Sequence, residues 1–203
     1  MIDLLVVALA FGAIFVVELP DKTFIATLVM STRMRPLFVW LGVALAFLVQ
    51  TGVAVGLGKA ASFLPEQLIH TVAALMFLIG AVILFREARS ADDDEADQEE
   101  EYAAKADPAA HGFRVVATSF LVLFAAEWGD LSQLLTISLV AKYDDPVSVF
   151  IGAFLALAAV SGLAALLGRT LLQRIRLSTI RRVGGVVCLV LATVSVLQIL
   201  GVF

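Results

Sequence analysis

The chain has 203 residues, 61% of them hydrophobic and only 16% charged, with a mean hydropathy of +1.01. A soluble domain carries about 45–50% apolar and about 25% charged residues, and a core of this size still leaves about 30% of the unfolded surface exposed. These figures exclude an ordinary soluble enzyme, a nucleic-acid binder and a disordered chain; the net charge of −4 looks mildly acidic until its distribution is traced.

Six apolar stretches are long enough to cross a hydrocarbon core of about 30 Å as helices, at 4–32, 36–58, 67–86, 113–141, 146–168 and 181–202. The first follows Asp3 without a basic n-region, so it reads as a retained span and not as a cleaved signal peptide. It carries Glu18, Asp21 and Lys22. The second starts at Pro36, with Trp40 placed as an interfacial anchor, and carries Gln50 and Thr51. The third opens near His70, which reads as a surface residue, as does His111.

Residues 87–112 break the pattern with Asp92-Asp93-Asp94-Glu95, Asp97 and Glu99-Glu100-Glu101. Such a composition cannot bury enough apolar surface to fold alone and reads as a solvated, disordered linker, with a cation-collecting or regulatory loop as the alternative. The fourth span carries Glu127 and Asp130, and Asp144-Asp145 before Pro146 reads as a turn. Ser161 lies in the fifth span and Gln198 in the sixth; with Gln50 and Thr51 they suit interhelical hydrogen bonds or a pathway lining. Gly42, Gly52, Gly56, Gly152, Gly162, Gly184 and Gly185 suit close helix packing. Cys188 is the single cysteine, so no intramolecular disulfide forms. The expected architecture is an all-α membrane protein in three parts: 1–86, an acidic linker at 87–112, and 113–203.

Basic residues set the expected orientation. With six spans, the first, third and fifth loops hold eleven of the fourteen lysines and arginines, including Arg33, Arg35, Arg86, Arg89, Arg169, Arg174, Arg176 and Arg181, whereas the opposite side holds Lys59 and Lys142. The basic side is expected to be cytoplasmic, which places both termini outside, the acidic linker inside and the chain in the cell (inner or plasma) membrane. Residues 92–107 hold nine of the eighteen acidic residues and one lysine, so the rest of the chain is net positive.

An internal repeat relates the two halves. Glu18, Asp21, Thr23 and Thr27 fall on Glu127, Asp130, Ser132 and Thr136 at a constant offset. After one inserted residue, Pro36 falls on Pro146, Gly42 on Gly152, Thr51-Gly52 on Ser161-Gly162 and Gly58-Lys59 on Gly168-Arg169. Three spans is an odd number, so the second half enters the membrane in the opposite sense. Inverted repeats are typical of transporters, with sites near the midplane where the repeats meet.

Charges there are costly. An Asp or Lys at a helix centre costs about 2.5–3.5 kcal/mol on insertion scales, so Glu18, Asp21, Lys22, Glu127 and Asp130 left unpaired total roughly 10–15 kcal/mol. A packing role would pair Glu18 with Lys22 at i,i+4, but the second motif has no basic neighbour of its own. Residues i and i+3 share a helix face, so each motif presents two carboxylates together. Pro20 and Gly129 favour a local break that frees backbone carbonyls. Thr23, Ser132 and Gln133 add neutral oxygens. Hard oxygen ligands without nearby Cys or His suit calcium, magnesium or manganese, and clustered carboxylates can take up protons when the metal leaves.

The segments Glu18-Leu19-Pro20-Asp21-Lys22-Thr23 and Glu127-Trp128-Gly129-Asp130-Leu131-Ser132-Gln133 resemble the paired Glu-x-Gly-Asp-Lys/Arg-Thr/Ser signatures of the Golgi-type manganese/calcium transporter family. That family includes bacterial manganese exporters and is related to calcium:proton antiporters and lysine-exporter-like proteins. The resemblance covers essentially the whole chain. It implies a secondary transporter that exports divalent cations, manganese first and calcium second, by proton antiport. It implies a cation site of Glu18, Asp21, Thr23, Glu127, Asp130 and Ser132, with Gln133 adjacent. Pro20 stands where the family has glycine, and Leu131 where it has a basic residue. No cofactor is expected beyond the transported ions. Expected partners are the divalent cation and the lipid bilayer, with a homodimer allowed and no nucleic acid.

Two other classes fit part of this pattern. An exporter of basic amino acids or other organic cations would hold an amine at the same acidic site. An intramembrane aspartyl protease would use Asp21 and Asp130 as a dyad, but the Gly-x-Gly-Asp motif is absent. A purely structural membrane protein leaves the buried carboxylates unexplained.

Overall fold

The computed structural model describes residues 2–19, 21–63, 65–89, 91–174 and 177–200, with side chains for all of these except 66, 69, 70, 73, 87, 91–96, 167–174, 177–181 and 198. Pro20 and Arg176, and the side chains of His70, Asp92 to Glu95, Arg169, Arg174, Arg181 and Gln198, therefore lie outside the described residues. The described residues form helices and no strand. In chain order they are α1 (Leu4–Glu18), α2 (Lys22–Arg33), α3 (Pro36–Ala61), α4 (Glu66–Glu87), α5 (Ala91–Lys105), α6 (Phe113–Ala126), α7 (Leu131–Tyr143), α8 (Pro146–Arg174) and α9 (Leu177–Ile199).

Among the described residues, α3 and α8 are long and apolar enough to cross a membrane. Two bent pairs also qualify if each is one span: α1 with α2, bent by 71°, and α6 with α7, bent by 72°. Shorter apolar stretches, Ala74–Arg86 and Arg182–Leu197, run through α4 and α9. Large aliphatic side chains lie exposed along α3, α4 and α9, among them Leu45, Leu57, Ile79, Ile83, Val186 and Val190. No soluble monomer leaves so continuous an apolar surface open to water.

Packing joins the two halves crosswise. Helix α1 runs along α8, α3 along α6 and α7, and α4 along α9. Two glycines permit the closest approaches. A Cβ on Gly42 would lie 2.4 Å from the Val116 carbonyl oxygen and 2.8 Å from Ser119 Cβ. A Cβ on Gly152 would lie 2.4 Å from the Val7 carbonyl oxygen and 2.9 Å from Ala10 Cβ. Gly42 and Gly152 are repeat partners, as are Val116 and Val7. Gly52 and Gly56, expected to pack closely, face no neighbour within 4 Å. Trp40 does more than anchor an interface: its indole Nε1 donates to the Ala158 carbonyl at 3.0 Å, tying α3 to α8.

The acidic segment departs from expectation. It forms helix α5, which packs mainly against α2 and touches α9. The reason is a short small-residue and aromatic patch at and just beyond its C-terminal end: Tyr102, and after the helix Ala106 and Ala110, are buried in the main core. Docking onto an existing surface supplies the apolar contact that this sequence lacks on its own. Lys105 also bonds Glu101 one turn back at 2.6 Å.

The turn between α7 and α8 is tied by its own charges and by Lys59 at the end of α3. Asp144 ends α7 in the left-handed region at φ 47° and pairs with Lys59 at 2.5 Å. That pair holds the Asp144 carboxyl below the ordinary aspartate range. Asp145 accepts from the Ser148 amide at 3.1 Å and so starts α8, while the Ser148 hydroxyl accepts from Asp3 N–H at 2.8 Å. His111 is exposed, as expected.

Candidate metal centre

Each motif sits at a helix break built in the same way. Helix α1 stops at Glu18 and α6 at Ala126, and the backbone N–H of the motif aspartate donates back to the carbonyl of the motif glutamate, Asp21 to Glu18 at 3.1 Å and Asp130 to Glu127 at 3.3 Å. These turns keep the Glu and Asp of a motif on one side of the break. Both aspartates are extended, with ψ 163° and 167°, and each caps the next helix, α2 or α7. The positive N-terminal ends of two helices therefore point towards four acidic side chains, which favours anions there. In the second break Gly129 adopts φ 80°, in the left-handed region that glycine enters without strain.

The structure brings the four carboxylates together. Ligand oxygens of Glu18, Asp21, Glu127 and Asp130 lie within 4.8 Å of one another. Glu18 and Glu127 are 1% and 2% exposed. Among the described residues, no donor reaches hydrogen-bond geometry with either oxygen of Glu18 or with Oε2 of Glu127, although the Ser132 side chain lies beside Glu18. A buried carboxylate without donors is costly unless a cation or proton satisfies it, and this donor set of hard oxygens fits a divalent cation carried as substrate.

Thr23, buried beneath the cluster, donates its hydroxyl to Glu127 Oε1 at 2.5 Å and lies 3.4 Å from Asp21 Oδ2. Its repeat partner Ser132 is buried beside Glu18, and its backbone N–H donates to Asp130 Oδ2 at 3.4 Å. The hydroxyl of each motif thus lies beside the glutamate of the other. Gln133 lines a small cavity with Glu127 and Ser132. Its side-chain oxygen accepts from Gly129 N–H at 2.8 Å and bridges the helix break. Gln50 also serves a break, donating to the Phe124 carbonyl in the last turn of α6 at 2.9 Å. Thr51 lines the same small cavity as Gln50 and Glu127, whereas Ser161 bonds back to Leu157 within its own helix.

Lys22 was expected either within a span or paired with Glu18. Its ammonium instead reaches Asp130 of the other motif at 3.5 Å. The second motif thus has a basic neighbour after all, delivered by the first half. Leu131, at the equivalent position, is apolar and packs on Gly80 of α4.

Beside the cluster lies a cavity of about 270 Å³, lined by Asp21, Lys22, Gly129 and Asp130, by apolar residues of α4 including Met76 and Ile79, and by Gln98 of α5. Nearby, Tyr102 is buried, and burial pushes its phenol up to about 12, with the Glu127 carboxylate adding to the shift. Tyr102 therefore stays protonated at any physiological pH. Sequence reasoning missed Gln98 and Tyr102; the available signal was Tyr102-Ala103 and Ala106, an apolar patch at helical spacing inside an acidic run.

A family model described as divalent cation/proton antiporter GDT1 matches residues 6–92 and 115–201. GDT1-like protein sll0615 of Synechocystis is 30% identical over 190 residues, covering 90% of this chain and 92% of that protein. Protein PAM71, chloroplastic, of Arabidopsis thaliana is 32% identical over 210 residues, covering 95% of this chain and 56% of that longer protein. A GDT1-like protein of Schizosaccharomyces pombe is 26% identical over 217 residues, covering 85% of this chain and 75% of that protein. No solved structure matches the chain.

Proposed function

This chain belongs to the GDT1 family of divalent cation/proton antiporters, membrane transporters and not enzymes, and we propose that it exports manganese, with calcium as a second substrate, from the cytoplasm in exchange for protons. The ions are its substrates, and no cofactor is called for. The observation that carries this reading is the single cluster of Glu18, Asp21, Glu127 and Asp130, two residues from each half, with ligand oxygens within 4.8 Å. Thr23 and Ser132 add hydroxyl oxygens at its floor, while Gln133 supports the site through the Gly129 turn.

Exchange follows from charge. Lys22 offsets one of the four carboxylates, and a divalent ion offsets two more. When the ion leaves, so many like charges in a medium of low dielectric cannot all stay ionised, and protons take its place. The two species compete for the same oxygens, so each is carried only while the other is absent.

The architecture of this reading is six spans in two inverted three-helix repeats, 1–86 and 113–203, joined by the segment at 87–112. The matched Gly42 and Gly152 contacts and the two equivalent breaks support it. The bias of lysine and arginine supports an acidic segment on the cytoplasmic side of the cell membrane and termini on the other. The exposed apolar belts would face lipid.

The test is manganese flux into proteoliposomes under an imposed pH gradient. Flux that reverses with the gradient is expected, with Glu18→Gln and Asp130→Asn each reducing it to background. Full flux in both variants would remove the site assignment. Competition by lysine, with no effect of pH, would favour an organic-cation exporter instead.

A further inference from the structure

The acidic helix α5 has no part in the reading above, yet it reaches the cluster. Gln98, at the midpoint of α5, lines the same cavity as Asp21, Lys22 and Asp130. Among the described residues its side-chain oxygen is buried and receives no hydrogen bond, an unfavourable state for an amide carbonyl. One turn further along, Tyr102 is buried against the core at 4% exposure. Around these two residues the helix is acidic and faces outward: Asp97, Glu99, Glu100 and Glu101 are all exposed. Among the described residues, the seat of α5 is Tyr102, with Ala106 and Ala110 just beyond its C-terminal end. Local stability follows buried apolar contact, so a seat built of one aromatic ring and small side chains lets the helix leave and return.

We propose that α5 is a lid over the cation site and that Gln98 is a further ion-binding residue, its amide oxygen joining Asp21 and Asp130 around the divalent cation while the lid is seated. An amide oxygen suits this position. It is a hard neutral ligand of the kind that completes calcium and manganese shells, and it adds no charge to a cluster already rich in it. An ion bound below therefore helps to hold the lid down, and its departure frees α5 to lift. The exposed carboxylates that flank Gln98 on α5 raise the local cation concentration. The inference rests on the carboxylate cluster being the cation site.

The test uses the full chain in detergent micelles, titrated with Mn²⁺ by calorimetry. Gln98→Leu keeps the side-chain volume but removes the oxygen, and is expected to weaken Mn²⁺ binding about tenfold. Gln98→Glu restores an oxygen and is expected to bind at least as tightly as the parent. Glu127→Gln serves as the control for the site and should abolish binding. If it does so while Gln98→Leu binds as the parent does, Gln98 is no ligand and the inference falls, with the site assignment intact. If Glu127→Gln binds normally, the site assignment fails and takes the inference with it. A second readout needs no affinity change: Gln98→Cys, in a Cys188→Ala background, should react with a water-soluble thiol reagent several-fold more slowly when Mn²⁺ is present. Equal rates with and without Mn²⁺ would overturn the lid.

Discussion

The first helix break and the second reach nearly the same geometry, bends of 71° and 72°, by different local chemistry. In the second, a glycine at φ 80° makes the turn, the Gln133 side chain bridges it and the Asp130 carboxylate caps the next helix. In the first, Lys22 takes up the position held by Leu131 in the second and crosses to the other motif. What the two share is the backbone bond from Asp to Glu and the pair of buried carboxylates. The comparison teaches that the carboxylates and the turn are the common device, whereas the residues around them are free to differ.

The largest expected effect tests that common device. Glu18→Gln and Glu127→Gln should each abolish the rise in Tm that Mn²⁺ gives the purified protein, because a ligand at 100 times its Kd stabilises by about 2.7 kcal/mol. Equal losses fit two equivalent halves; a loss in one variant alone would break the equivalence.

Next come the two close approaches. Gly42→Ala and Gly152→Ala should each destabilise by about 2–3 kcal/mol, since the added methyl meets a backbone carbonyl that cannot step aside. Gly52→Ala, with open space around it, should be neutral or stabilising by up to about 1 kcal/mol. Thermal unfolding in detergent compares all three, and unequal costs at Gly42 and Gly152 would mark where the halves diverge.

A smaller effect belongs to the turn. Gly129→Ala meets no atom within 4 Å, so its cost is the left-handed backbone alone, about 1–2 kcal/mol. Gly129→Asn should cost less than Gly129→Ala, because Asn tolerates that region better. Lys22→Met should change stability by less than about 1 kcal/mol, as the pair is partly exposed. It should nonetheless tighten Mn²⁺ binding several-fold in a calorimetric titration, by freeing Asp130 from a tethered cation.

The smallest concerns the outer turn. Lys59 lowers the folded Asp144 carboxyl below its unfolded value, so the pair contributes above the ordinary aspartate range, near pH 4, and is lost as pH falls through the lower folded value. Both groups are exposed, so Lys59→Met should leave Tm almost unchanged at neutral pH, with any difference vanishing in acid. A large neutral-pH loss would show that this turn holds the halves together.

Much of the molecule was legible without coordinates. Hydropathy located the long apolar helices, because a 30 Å hydrocarbon layer demands a fixed number of residues. Matching residues at one offset found both motifs, and glycine at 129 foretold a break. Position along the chain says little about contacts across it, however. The Lys22–Asp130 pair was not legible because its partners are over a hundred residues apart. The acidic segment was read as disordered because its own apolar content is too low, and the surface that accepts Tyr102 belongs to other helices.

The sequence by itself determined an all-helical chain of membrane character, two matching Glu-x-x-Asp motifs and four carboxylates that could not lie in apolar surroundings without a purpose. Those are matters of composition and periodicity, which a linear chain carries. The tertiary structure decided that the four carboxylates meet, that Lys22 serves the opposite motif and that Gln98 of α5 lines the cavity. Each of these depends on which faces pack together, and that is settled by the joint free energy of burial and by closeness of fit between helices, at positions such as Gly42 and Gly152.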